Sequence, residues 1–248
     1  MQNYKMKIAY DGKRYMGFNT VKGNADKSVQ GKLEAILKKL YKEDIEVIGA
    51  VDTDAGVHAK GQVVNFTAPN KEHGPKELLA YFEEYLPDDI IAFSVKTADE
   101  RFQSRYHAQS MTYQYRLWKK DAPNRPLFER HYVNTMVQLV DVAKMKEAAE
   151  EMVGEHDYLA FTSNKKAKKS VRKVYSVDVE ETKHEIIITM TAKGFLRNME
   201  RYMVGTLIQV GLGQLPKSNI QKAFESKSQS DVGHKASSGA LTLTTVQY

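Results

Sequence analysis

The chain passes twice through the same succession of hydrophobic patterns: strand, helix, strands, helix. In the first half KMKIAYDG predicts a strand closing at Gly12, and SVQGKLEAILKKLY predicts a helix. There Val29, Leu33, Ile36, Leu37 and Leu40 recur at helical spacing, with Ser28 placed to cap the start. IEVIGA and QVVNF predict strands on either side of DTDAGVHA, PKELLAYFEEYL a helix opened by proline, and IIAFSVKTA a further strand. In the second half MTYQYRLW alternates cleanly, setting Met111, Tyr113, Tyr115 and Leu117 on one face. VDVAKMKEAAEEMVG predicts a helix, VRKVYSVDVE and EIIITMTA a strand pair, FLRNMERYMVGTLIQVGLG an apolar helix, and GALTLTTVQY a last strand. The expected fold is α+β, with two related subdomains building a central antiparallel sheet flanked by helices. The expected subdomains are residues 1–105 and 106–248, with no Pro/Gly-rich linker between them.

A length of 248 residues and an apolar fraction of 42% suit a globular chain with a sizeable core. Without cysteine there is no disulfide, thiolate nucleophile or cysteine-ligated zinc, and a reduced, cytoplasmic setting is the simplest expectation. No stretch has the uninterrupted apolar length of a membrane span, and MQNYKMKIAYDG is not a signal peptide. A net charge of +6 and a pI near 9.1 point mildly to a polyanionic partner. NKKAKKSVRK, residues 164–173, gathers Lys165, Lys166, Lys168, Lys169, Arg172 and Lys173. Such a run is either a solvated loop or a track for a phosphate backbone, and composition alone favours the first.

GAVDTDAGVHA, residues 49–59, sets Asp52 and Asp54 two apart. Close carboxylates disfavour each other's ionisation, so the pair is a metal site, an acid/base pair, one working carboxylate with a bystander, or a polar turn. No further oxygen ligands extend it toward a hard-cation loop, so no metal is expected. Gly56 fits a turn with positive φ, and His58, alone, reads as a packed structural histidine. Arg197 and Arg201, four apart, would share one face of the apolar helix, either snorkelling to water or pairing with an anion. Tyr113 reads as a strand's core aromatic or as a platform for an exposed base.

Taken in order, six blocks resemble the TruA family of tRNA pseudouridine synthases over essentially the whole chain. They are KIAYDG with YMGF, SVQGKLEAIL, TDAGVHAKGQVVNF, FQSRYHA with TYQY, FLRNMERYMVGTLIQVG and SSGALTL. The resemblance implies two α+β halves with a basic cleft, a homodimer, and isomerisation of uridines in the anticodon arm of tRNA without metal or organic cofactor. It makes Asp54 the catalytic aspartate, which attacks the nucleotide at C1′ or C6 and must therefore be ionised. It makes Arg201 the guanidinium that keeps the carboxylate charged, and Tyr113 the ring that stacks on the extruded base and can take the C5 proton. Leu241 matches an apolar pocket residue against the base. Lys165, Lys166, Lys168, Lys169 and Arg172 of the basic run become substrate contacts, together with Lys60 and Arg105.

Three places depart from the family pattern. Asp52 stands where the family has arginine, Phe18 and Asn19 where it has tryptophan and glutamine, and Ser237 where it has proline. A second anion near Asp54 would raise its pKa, so an Asp52 that points into the cleft implies either weaker activity or a compensating base such as Lys60 or Arg105. Left uncompensated, Asp52 would favour the other reading, a non-catalytic tRNA-binding relative.

Overall fold

The computed structural model describes residues 1–21 and 23–248. In chain order the elements are β1 (Gln2–Tyr10), α1 (Val29–Tyr41), β2 (Val47–Gly49), β3 (His58–Ala68), α2 (Pro75–Tyr85), β4 (Ile90–Thr97), α3 (Ser104–His107) and β5 (Ser110–Trp118). Then come β6 (Asn134–Thr135), α4 (Val142–Glu150), β7 (Gly154–Asp157), β8 (Val171–Glu181), β9 (Glu185–Ala192), α5 (Met199–Gly211), α6 (Asn219–Ser226) and β10 (Leu241–Gln247). The class is mixed α+β. Met1–Gln109 with Leu243–Tyr248 form one unit, and Ser110–Thr242 form the other.

In the first unit the strands run β4-β1-β3-β10, and β2 pairs with β3. Both neighbours of β1 are antiparallel to it, with Met6 opposite Val64 on one side and Val95 on the other. The helix starts follow local chemistry. Ser28 accepts from the Gly31 amide at 3.0 Å, capping α1, and Pro75 opens α2 where a missing amide proton costs nothing. Leu33 and Leu37 of α1, Leu78 and Phe82 of α2, and Met6, Ile8, Val64 and Phe66 of the sheet are all fully buried or nearly so. Phe66 sits edge-on to Phe82 at 6.1 Å, tying α2 to the sheet.

The last residues of the chain belong to this first unit, whereas the sequence reading kept them with the second half. The Gln109 amide donates to the Gln247 carbonyl at 2.8 Å, and the Tyr248 hydroxyl donates to the Ser104 carbonyl at 2.9 Å. Lys5 lies over the Tyr248 ring, 3.6 Å from its centre.

In the second unit the order is β5-β9-β8-β7, with β6 added parallel to β5. The alternation of MTYQYRLW carries through. Met111, Tyr113, Tyr115 and Leu117 are buried, while the residues between them are half-exposed. The other side of the core comes from Met145 and Ala148 of α4 and from Met203, Val204 and Leu207 of α5. Among the described residues no helix is long and apolar enough to cross a membrane.

Candidate active site

Asp54 lies in the loop between β2 and β3, and that loop is held from several directions. The Phe18 amide donates to the Thr53 carbonyl at 3.0 Å, and the Gly56 amide to the Tyr15 carbonyl at 3.3 Å. Beneath them Thr53 shares a 2.7 Å hydroxyl–hydroxyl bond with the buried Tyr10. The fully buried Gln62 donates to the Val51 carbonyl at 2.7 Å. The turn closes with the Val57 amide on the Asp54 carbonyl at 3.1 Å, and it requires Gly56 at φ +79°. Asp54 itself is half-exposed on this frame. The result is a carboxylate presented on a rigid turn, as a nucleophile needs.

His58, at the start of β3, is buried and structural in its contacts. Its Nδ1 lies 3.0 Å from the Gly12 amide and 3.0 Å from a carboxylate oxygen of Asp11. One ring nitrogen cannot serve both at once, because the amide needs an acceptor and the carboxylate a donor. The amide contact is the better supported, since the Gly12 N–H has a fixed direction, so Nδ1 accepts there.

Asp52 does not stand alone. Arg105, on α3, donates through Nη2 to the Asp52 carboxylate and through Nε to the Gly49 carbonyl at 3.4 Å. Its position is set by its neighbour Ser104, which is fully buried. The Ser104 amide donates to Asn65 at 2.8 Å and its hydroxyl to the Ile48 carbonyl at 2.6 Å. Desolvation raises the Asp52 pKa above its ordinary value, opposed by the Arg105 charge and a hydrogen bond from Asn19. With 47% of the Asp52 side chain exposed and 40% of Arg105, solvent screens the pair. Lys60, the other base expected near Asp52, is exposed on β3.

The second unit holds Tyr113, Arg201 and Leu241. Tyr113 is 2% exposed on β5, and the Phe195 ring stands edge-on to it at 5.4 Å. Leu241 is equally buried at the start of β10. Arg201 is half-exposed in the first turn of α5, and its Nε donates to the Ala236 carbonyl at 2.8 Å. The Ala236 amide returns a bond to the Arg201 carbonyl at 3.0 Å. This segment runs so close over α5 that a Cβ on Gly205 would lie 1.6 Å from the His234 carbonyl oxygen. Glycine is therefore required there for the strap that orients Arg201.

Tyr115, which the sequence reading used only as core, lies within reach of the Arg201 charge. Its hydroxyl is buried, and burial pushes its pKa up to about 12, with the Arg201 charge pulling the other way.

Arg197 corrects an expectation. It precedes α5 rather than sharing a face of it with Arg201, because Asn198 takes φ +63° and the helix starts at Met199. The left-handed conformation suits Asn better than most residues and ends any continuous helical register. Arg197 is exposed, and its carbonyl accepts from Thr162 and Ser163 at 2.8 and 3.2 Å. Of the basic run, Lys165, Lys166, Lys168 and Lys169 are exposed in a loop before β8. Arg172 differs, because its Nη1 folds back onto the Lys169 and Val171 carbonyls at 2.9 and 2.8 Å.

Comparison with known proteins agrees with this framework. The profile of a tRNA pseudouridine synthase family matches residues 6–107 and 148–248, thus including the Asp54 loop, α5 and β10. The chain belongs to the tRNA pseudouridine synthase family, a class of isomerases. It is 41% identical to "tRNA pseudouridine synthase A 2" of Bacillus cereus (strain ZK / E33L), with 100% of both chains covered. It is 39% identical to "tRNA pseudouridine synthase A" of Bacillus sp. (strain KSM-64), covering 96% of this chain and 97% of that one. Among solved structures, the archaeal box H/ACA sRNP Nop10-Cbf5 complex aligns with 83% of this chain and 44% of its own, at 11% identity and a TM-score of 0.34. That likeness is too slight to bear on the fold.

Proposed function

We propose that this protein isomerises uridine to pseudouridine in the anticodon arm of tRNA, with Asp54 as the nucleophile. The observation that carries the reading is the Asp54 turn, clamped through Thr53, Gly56 and Val57, in a chain whose family match spans both halves. The Asp54 carboxylate adds to C1′ or C6 of an extruded uridine, and the bond between N1 and C1′ breaks with its electrons going to the uracil ring. The ring turns, C5 bonds to C1′, the bond between Asp54 and the nucleotide breaks with its electrons returning to the carboxylate, and the C5 proton leaves to Tyr113. Tyr113 serves the base as stacking face and proton acceptor, Arg201 supports the ionised carboxylate, and Leu241 packs against the ring. Lys60, Lys165, Lys166, Lys168 and Lys169 hold phosphates, with Arg172 shaping their loop. Neither metal nor organic cofactor takes part, and the protein acts as a cytoplasmic homodimer.

The competing reading, a tRNA-binding protein without activity, draws on an uncompensated Asp52. The bond from Arg105 to Asp52 favours the enzyme instead. A tRNA transcript treated with the protein and then with a carbodiimide that marks pseudouridine tests this directly. Stops to reverse transcription should appear in the anticodon arm. Stops only elsewhere would overturn the target, and none at all, with tRNA still bound, would favour the binding protein. Sedimentation at micromolar concentration checks the dimer.

A further inference from the structure

Between β1 and α1, the segment from Asp11 to Phe18 lies directly against the Asp54 turn. A Cβ on Gly12 would come within 1.9 Å of the Val57 carbonyl oxygen, and one on Gly17 within 2.8 Å of the Thr53 carbonyl oxygen. What fixes this segment therefore fixes the turn. Its far end is tied to α1 and the residues just before it. The Met16 amide donates to the Lys27 carbonyl at 2.8 Å, and the Gln30 amide to the Phe18 carbonyl at 2.9 Å.

Its near end is tied to Asp89, the residue before β4. The Asp11 amide donates to the Asp89 carbonyl at 2.9 Å. The Tyr15 hydroxyl donates to Oδ1 of the Asp89 carboxylate at 2.6 Å. Arg14 donates to Oδ2 through Nε at 2.9 Å and through Nη2 at 2.6 Å. The two side-chain arms are unequal. The Arg14 side chain is 74% exposed, so water screens its pair with Asp89. Tyr15 is 7% exposed and the Asp89 side chain 13%, and a phenol 2.6 Å from a carboxylate in that setting makes a short, charge-assisted bond. Burial, and then the Asp89 carboxylate, push the Tyr15 pKa up, so the phenol keeps its proton and donates.

Tyr15 is held at one end and holds at the other. Its carbonyl accepts from the Gly56 amide, and at 3.3 Å that bond is too long to fix Tyr15 by itself. The ring anchored on Asp89 sets where the carbonyl stands. The carbonyl in turn steadies Gly56 at φ +79°, in the turn that presents Asp54 two residues earlier. We propose that Asp89 is a positioning residue for the isomerisation, acting through Tyr15 on the turn that carries Asp54. A nucleophile displaced by about 1 Å can lose on the order of a hundredfold in rate, which is why such a tie matters. The inference rests on the reading of Asp54 as nucleophile.

The test follows Tyr15→Phe, Asp89→Ala, Asp89→Asn and Arg14→Ala by tritium release from uridine C5 and by hydrogen exchange at the Gly56 amide. Tyr15→Phe removes one oxygen and leaves Arg14 on Asp89, so it is the mildest break in the tie. It should lower kcat roughly ten- to a hundredfold while KM for tRNA stays within about twofold, the split expected of lost positioning. Exchange at the Gly56 amide should quicken about tenfold. Asp89→Ala should match it, and adding Tyr15→Phe to Asp89→Ala should change little more. Asp89→Asn keeps an oxygen for the phenol and should recover most of the loss. Arg14→Ala should stay within about twofold of wild type in kcat and in exchange. A kcat in Tyr15→Phe equal to wild type overturns the proposal, as does a slower kcat with Gly56 exchange unchanged. Equal losses in Arg14→Ala and Tyr15→Phe overturn it too. A wild type that releases no tritium sinks the reading of Asp54 instead, and is told apart because Gly56 exchange still reports whether Tyr15 holds the turn.

Discussion

Arg105 grips the Asp52 carboxylate while its Nε reaches the Gly49 carbonyl, so the Asp52 anion comes with its own cation from fifty-three residues away. The two side chains keep 40% and 47% of their surface exposed, and their attraction is therefore modest, on the order of 0.2–1 kcal/mol. Their effect near Asp54 is one of charge balance rather than of stability.

From that balance, Asp52→Arg should fail to raise turnover, because the new guanidinium would face Arg105 rather than a vacant anion site. Arg105→Ala should lower kcat/KM more than Asp52→Asn does, since it strands a carboxylate two residues from Asp54. A clear gain in kcat/KM for Asp52→Arg would show that Asp52 acts as an uncompensated anion.

The raised pKa of Asp52 has a definite sign for stability. Folding disfavours its ionised form, so its contribution is fully present below the unfolded value of 3.8 and is lost as pH rises through the folded value. Asp52→Asn should accordingly melt at or slightly above the wild-type temperature at pH 7, with the difference falling away as pH drops toward 4. Thermal melts across that range check it. A gap in favour of the mutant that widens with acid would contradict the assignment.

The strap over α5 predicts a steric effect at a single position. Gly205→Ala would drive a methyl into the His234 carbonyl oxygen, and denaturant unfolding should show a loss of ~2 kcal/mol or more. Gly194→Ala is the control. A Cβ there meets nothing within 4 Å, and the change should stay within ~0.5 kcal/mol.

Replacing Lys165, Lys166, Lys168 and Lys169 by alanine should weaken tRNA binding and flatten its dependence on salt, by about one unit of slope for each phosphate no longer neutralised. Arg172→Ala should act through its loop, because its guanidinium is turned toward backbone carbonyls. An unchanged slope for the lysine variant would leave the run a solvated loop.

Where side chains repeat with a regular period, the fold was legible. Tyr113 and Tyr115 are buried on one face of β5 as the alternation of MTYQYRLW required, and Ser28 caps α1 where the helical spacing begins. Gly56 takes the positive φ that the crowded DTDAGVHA turn demanded. Periodicity is blind to single backbone conformations, and so it extended α5 back through Asn198 and misplaced Arg197. It is equally blind to partners distant in sequence. The charge of Asp52 left two outcomes open, a weaker site or a nearby base, and the pairing with Arg105 rather than Lys60 depends on Ser104 being buried against Asn65 and Ile48.

The central claim is that the Asp54 carboxylate drives isomerisation of a tRNA uridine, and release of tritium from a transcript labelled at uridine C5 tests it most directly. The wild type should release tritium to solvent, and Asp54→Asn should release none while binding tRNA within a few-fold of wild type. Release that persists in Asp54→Asn, or its absence from the wild type despite tight binding, would contradict the account.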